Sequence, residues 1–80
     1  MARDVYYVAR HGPHWQINHG DRQHGPYGSQ CAAIMVAITA AHRAGQTNSD
    51  GAQVLVQGEN NQFRAEWTYG NDPYPPKGVG

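Results

Sequence analysis

The sequence is short of cysteine and of charge. Its 80 residues include one cysteine, Cys31, and only 15 % charged residues, with six Lys and Arg balancing six Asp and Glu. A single thiol excludes an internal disulfide framework and is typical of a reducing, intracellular setting. Because the charges cancel, the chain as a whole has no long-range attraction for nucleic acid or for an anionic membrane.

Long hydrophobic runs are missing as well. The longest apolar-rich stretch covers residues 31–41, well short of the ~20 residues that cross a bilayer. The first residues, Met1 to Asp4, lead straight into a Tyr/Val run, so we expect no signal peptide. We therefore expect a cytoplasmic protein without membrane contact. The length predicts one small domain over residues 1–80, with a thin hydrophobic core.

Motifs that carry catalytic or cofactor chemistry are scarce. The chain has no CxxC pair, no GxGxxG loop and no close pair of carboxylates. Cys31 is predicted to face the core, where a thiol is inert, and the Ser29 hydroxyl is better explained as a helix cap than as a nucleophile. His11 and His14 flank a turn, but zinc needs three or four converging ligands. We expect a non-enzymatic protein without a cofactor, whose five histidines have structural or surface roles.

The first predicted element is a β-hairpin over residues 4–19. Two runs of strand-forming residues flank the turn signal Gly12-Pro13. That turn pairs Val8 with Ile17 and Arg10 with Trp15, which places Tyr7 and Ala9 on the opposite face from Val8. The residues that follow, 19–28, are polar and broken by glycine, so we expect a loop with at most a short edge strand near residues 22–24.

A helix is predicted over residues 29–45. Ser29 is a suitable N-cap, and Gly45 is a suitable residue to end the helix. The apolar residues of the helix recur every three or four positions and form one stripe, with Met35 beside it: Cys31, Ile34, Ile38 and Ala41.

The second predicted hairpin covers residues 52–68 and turns at Asn60-Asn61, since asparagine tolerates positive φ. This turn pairs Gln57 with Arg64. It places five apolar residues on one face, namely Val54, Val56, Phe63, Ala65 and Trp67, and leaves Leu55 and Arg64 on the other face.

Together these elements predict an α+β domain in two layers, in the order β-β-α-β-β. The two hairpins form an antiparallel sheet, the helix covers one face, and residues 69–80 are an extended, proline-rich tail. The uncovered face could remain in water, receive the tail, or pair with another copy. The predicted core consists of Val8, Trp15, Ile17, Ile34, Ile38, Val54, Val56, Phe63 and Trp67.

Several of these residues occur in an order that resembles a bacterial family, the domain-of-unknown-function family numbered 2188. The residues that carry the resemblance are Val5-Tyr6, Val8, His11-Gly12, Trp15, Ala33-Ile34, Leu55-Val56, Gly58 and the segment Thr68-Tyr-Gly-Asn-Asp-Pro-Tyr-Pro-Pro-Lys-Gly78. Of these, the C-terminal segment is the most specific. The resemblance implies no activity, cofactor or partner, because no biochemical function is assigned to the family.

The chain departs from the family pattern at its helix. Ala32 stands where a glutamate would complete a capping box. The helix exterior is expected to be uncharged, with small or apolar residues on it: Ala33, Val36, Ala37 and Ala40. The tail has two interpretations: a structural clamp over the sheet, or a segment that presents Pro and Tyr side chains to a partner.

Two functions of different class follow from the uncovered sheet face. The leading hypothesis is a protein-interaction or accessory module, either a homodimer or a binder of an unidentified protein, because burying Tyr7, Ala9 and Leu55 would add apolar area. The alternative is a nucleic-acid-binding protein in which Tyr7, on the outer face, stacks on a base while Arg10, Arg64 and Lys77 contact phosphates. The candidate interaction surface comprises Tyr7, Leu55, Arg64, Tyr69, Tyr74 and Lys77.

Overall fold

The computed structural model describes residues 3–76, and in that range it contains five strands and one helix. They are β1 (Asp4–His11), β2 (His14–His19), β3 (Arg22–Tyr27), α1 (Gln30–Thr47), β4 (Ala52–Gln57) and β5 (Phe63–Thr68). The α+β class and the order of two hairpins around a helix are therefore confirmed. In addition, β3 forms as a six-residue strand in the region expected to be mostly loop.

The sheet is mixed, with the strand order β3-β2-β1-β4-β5. The prediction of an antiparallel sheet was wrong at its centre, because β1 and β4 run parallel, with Tyr7 beside Leu55 and Val8 beside Val56. Parallel neighbours need a crossover connection, and the chain between β1 and β4 supplies one through α1, which packs on both strands. The two hairpins are thus joined along their first strands.

The first hairpin has the predicted register, with Val8 opposite Ile17 and Arg10 opposite Trp15. In the second hairpin the prediction holds only far from the turn, where Val54 is opposite Trp67. Nearer the turn, the register shifts by one residue at a β-bulge, which places Ala65 opposite Leu55. The residues between the bulge and the turn therefore lie on the opposite face of the sheet from the one that the sequence predicted.

The core lies between α1 and the face of the sheet that α1 covers. Among the described residues it contains no buried polar or charged side chain. Seven of the nine predicted core residues are buried and Trp15 is half-buried against them, but Phe63 is 42 % exposed because the bulge turns it away from the helix. The buried residues are Tyr6, Val8, Ile17, Ala33, Ile34, Ala37, Ile38, Ala41, Ala52, Val54, Val56 and Trp67.

Helix α1 begins as predicted and ends later. The Ser29 hydroxyl accepts a hydrogen bond from the Ala32 backbone N–H at 3.1 Å, which is an N-cap. Gly45 does not end the helix, which continues to Thr47 and is capped at Asn48. Ala33 and Ala37, predicted on the exterior, are fully buried. Their small side chains allow the helix to lie close to the sheet.

Candidate functional site

The sheet face that points away from α1 is the outer face. Strand alternation and the observed register of β1, β2, β4 and β5 place on it Val5, Tyr7, Ala9, His11, His14, Gln16, Asn18, Gln53, Leu55, Gln57, Phe63, Ala65 and Thr68. None of these side chains is Asp, Glu, Lys or Arg, and the two histidines, His11 and His14, lie at the β1–β2 turn, at one end of the face. Within residues 3–76 the only helix packs against the other side of the sheet, so the outer face is open.

An apolar centre lies on this outer face. The rings of Tyr7 and Phe63 meet edge to face, with their centroids 5.3 Å apart, and they are 39 % and 42 % exposed. Leu55 is half-buried on β4, between the strands that carry them. Tyr7 and Leu55 were predicted to share an interaction surface, and the structure places them side by side. Phe63 was missed, because no feature of the sequence signals the bulge.

Amide and hydroxyl groups surround this centre and bond to one another. The Gln16 side-chain amide donates to Asn18 Oδ1 at 3.1 Å, and the Gln53 amide donates to Thr68 Oγ1 at 3.3 Å. Polar groups that are already hydrogen-bonded to each other cost less free energy to desolvate when a second surface excludes water from them. An apolar centre inside a polar rim is the usual arrangement of a protein–protein interface.

The two arginines proposed for the outer face lie on the helix side of the sheet. Arg64 is opposite Val56, whose side chain is in the core, and with Arg10 it lines a cleft between the start of α1 and the β4–β5 turn. We call this the arginine cleft; its volume is about 810 Å³, and Trp15 and Gln30 also line it. The platform of Tyr7 with Arg10 and Arg64 is therefore not assembled.

Inside the arginine cleft the two guanidinium groups are held differently. The Arg10 group donates to the Gly58 carbonyl at 3.2 Å and lies 5.6 Å from the ring centroid of Trp15, in cation–π contact. The Arg64 side chain is 66 % exposed and is 3.6 Å from the Glu66 carboxylate, a separation that makes a weak surface ion pair. One cation is fixed by the protein, and the other is available to an incoming group.

The described part of the tail contacts α1 rather than the outer face. The ring of Tyr69 lies over Gly45, and Tyr74 stacks on His42 with ring centroids 3.9 Å apart. The indole N–H of Trp67 donates to the Pro73 carbonyl at 2.9 Å. The described part of the tail is therefore packed against the domain, as a structural clamp would be, but it does not cover the outer face of the sheet. Tyr69 and Tyr74, which were placed in one surface with Tyr7, are thus separated from it by the sheet, and Lys77 lies outside the described residues.

A polar cluster connects β1, β2 and the end of α1. Asp4 accepts hydrogen bonds from the Asn48 amide and from His19 Nε2, each at 3.1 Å, and His19 stacks on Tyr6 with centroids 4.1 Å apart. The hydrogen bond from Asn48, followed by that from His19, lowers the pKa of the Asp4 carboxyl. Burial, assisted by the Asp4 charge, raises the pKa of the Tyr6 hydroxyl. This cluster fixes strand ends to the helix end.

The histidines were expected to have structural or surface roles, and the structure places them in separate surroundings. His11 and His14 pair across the first turn, His19 contacts Asp4, and His42 contacts Tyr74. Within residues 3–76, no three His, Cys, Asp or Glu side chains are grouped in a way that could hold a metal ion. Over the same range, no helix has the length and apolarity needed to cross a bilayer.

The fold and these surfaces define a class: a small α+β protein whose mixed sheet is covered by a helix on one face and open on the other. The family described as an uncharacterized protein conserved in bacteria (DUF2188) matches residues 5–69. The chain belongs to this family. The match ends at Tyr69, so the proline-rich segment after it lies outside the matched residues. Neither a curated protein nor a solved structure matches the chain.

Proposed function

We propose that this protein is a non-enzymatic interaction module of the cytoplasm that works as a homodimer, with the outer faces of two copies in contact. The single observation that supports this proposal most is the composition of the outer face. Its centre exposes the apolar rings of Tyr7 and Phe63, and none of the side chains placed on it is Asp, Glu, Lys or Arg. Two identical faces of this kind meet without charge repulsion, as a two-fold interface requires.

The same composition argues against the nucleic-acid alternative at this face. Each phosphate contact normally needs a Lys or Arg side chain. Arg10 and Arg64 lie in the arginine cleft on the other side of the sheet. The outer face therefore offers a ring for stacking but no cation beside it. A partner surface without charge, such as a second copy, suits it better.

The size of the outer face suggests how tight the dimer is. Four strands about 4.8 Å apart and six residues long, at about 3.3 Å per residue, give a projected area of about 400 Å². A stable complex buries about 800 Å² per partner, so a contact of about half that size belongs with weak, transient interfaces. We expect a dimer that forms and dissociates at micromolar concentrations, with apolar burial as its main driving force.

Sedimentation velocity over a range of concentrations, supported by native mass spectrometry, tests this proposal. The parent protein should shift toward twice the 8.8 kDa chain mass as concentration rises, and salt should change this little. Leu55→Asp puts a charge at the centre of the outer face and should leave a monomer. Val36→Asp is the matched control, because Val36 is 42 % exposed on α1, away from that face.

Two outcomes would overturn the proposal. One is a parent protein that stays monomeric at all concentrations. The other is dissociation of the dimer by Val36→Asp but not by Leu55→Asp, which would assign the contact to the helix. Because Leu55 is half-buried and its replacement could unfold the chain, Tyr7→Ser serves as a second outer-face variant. Circular dichroism of each variant establishes that a monomer is still folded.

A further inference from the structure

We propose that the arginine cleft is a binding site for a nucleotide, with the phosphate at Arg64 and the base against the Arg10–Trp15 pair. This inference does not rest on the proposed dimer: the cleft opens on the helix side of the sheet, and of the residues that line it only Phe63 also belongs to the outer face. The volume of about 810 Å³ is in the range of pockets that take small ligands. The chemistry of the lining residues selects the ligand.

The positive charge of the arginine cleft comes from three sources. The Arg10 and Arg64 guanidinium groups line it, and a guanidinium group matches the oxygens of a phosphate in a two-pronged geometry. Gln30, in the first turn of α1, also lines the cleft, so the positive end of the helix dipole is close to it. That first turn contains no acidic residue. Glu59 is the opposing charge among the lining residues, and the Glu66 carboxylate lies 3.6 Å from Arg64, so an incoming phosphate displaces this weak ion pair.

A planar platform for a base is present beside these charges. The Arg10 guanidinium lies over the Trp15 ring and is anchored by its hydrogen bond to the Gly58 carbonyl. Bases stack on arginine planes and on aromatic rings in single-stranded nucleic-acid sites. The side-chain amides of Asn60 and Gln62 line the same cleft and can donate to or accept from a base edge.

The turn that carries these amides is already ordered. The Gly58 N–H donates to the Gln62 carbonyl at 2.9 Å, and the Asn61 N–H donates back to the Gly58 carbonyl at 3.0 Å. The Gln62 N–H donates to Asn60 Oδ1 at 3.1 Å. A ligand would meet a wall whose backbone is fixed, so little of its binding free energy is lost in ordering the protein.

The nucleotide in the arginine cleft could be a free mononucleotide or one residue of a single-stranded nucleic acid. An NMR titration of the ¹⁵N-labelled full chain at low salt distinguishes them, using adenosine 5′-monophosphate and a tetra-adenylate strand as probes. The amide signals of Gly58, Gln62 and Arg64 should move with either probe. Equal affinity for the two indicates a free nucleotide, and much tighter binding of the strand, with a steeper salt dependence, indicates single-stranded nucleic acid.

Three charge variants make the test specific. Arg64→Ala should raise the Kd about tenfold, the loss expected for one charge-assisted contact. Glu59→Gln should lower the Kd about threefold, because it removes the opposing charge. Arg43→Ala is the matched control: it removes the same charge from an exposed site that is not part of the cleft, and it should leave the Kd unchanged.

Other results would overturn the inference. The inference is wrong if the probes bind Arg64→Ala as tightly as the parent protein, or if only residues outside the cleft show signal changes. It is also wrong if neither probe binds at millimolar concentration. Tetraglutamate, used as a third probe, tests for an acidic peptide as the ligand. If it binds as tightly as tetra-adenylate, the cleft recognises carboxylates and the nucleotide assignment is wrong.

Discussion

Replacing Gly45 by alanine tests how the tail is held against α1. Alanine favours a helix interior over glycine by about 1 kcal/mol, so the change alone should stabilise the protein. However, a Cβ at position 45 would overlap Cγ and Cδ2 of the Tyr69 ring and lie 2.8 Å from Cδ1. Forcing a methyl group into a packed site costs about 1–3 kcal/mol. We expect Gly45→Ala to lower the free energy of unfolding by about 1 kcal/mol as the net result.

The matched background is Tyr69→Ala, which removes the ring that occupies the site. There, Gly45→Ala should raise the free energy of unfolding by about 1 kcal/mol, so the coupling between the two positions is about 2 kcal/mol. Urea unfolding followed by circular dichroism measures the free energy of unfolding of the parent, the two single variants and the double variant. For a chain of this size, Gly45→Ala should lower the urea midpoint of the parent by about 1 M and raise that of Tyr69→Ala by about 1 M. The reasoning is refuted if Gly45→Ala stabilises the protein in both backgrounds.

Two further predictions concern the contacts at the ends of the strands. Because the folded-state pKa of Asp4 is lowered, its contribution to stability should be present above the unfolded value of about 3.9 and lost as pH falls through the folded value. Asp4→Asn should therefore flatten the acid side of a melting-temperature profile, and an unchanged profile would contradict this. Trp67→Phe removes the N–H that bonds the Pro73 carbonyl and leaves space beside a buried ring. It should cost about 2 kcal/mol in urea unfolding, and a loss below about 0.5 kcal/mol would show that this contact does not hold the tail.

Local patterns predicted the first hairpin well. The Gly12-Pro13 turn sets the pairing of Val8 with Ile17, and alternation then decides which side chains are buried. The helix start followed from Ser29, whose capping bond depends only on neighbouring residues. In each case the decisive interaction joins residues that are close in sequence, which is what a sequence pattern can report.

The errors came from interactions between distant residues. Gly45 is a reasonable helix-ending residue by its own conformational preference, but here it is in the helix and leaves room for the Tyr69 ring. Phe63 was placed in the core by simple alternation, and one extra residue at the β5 bulge reversed its face. The candidate site changed for the same reason, because the bulge moved Arg64 from the side of Tyr7 to the arginine cleft.

The parallel pairing of β1 with β4 has a consequence for the order in which the protein can form. Asp4 pairs with Ala52 and Val8 with Val56, so β1, the central strand, pairs with a neighbour whose residues lie 48 positions later in the chain. During synthesis on a ribosome, β1, β2, β3 and α1 emerge before that neighbour exists. Closing the sheet is therefore a late, long-range step, of the kind that makes folding slow and leaves an apolar strand edge uncovered until it occurs.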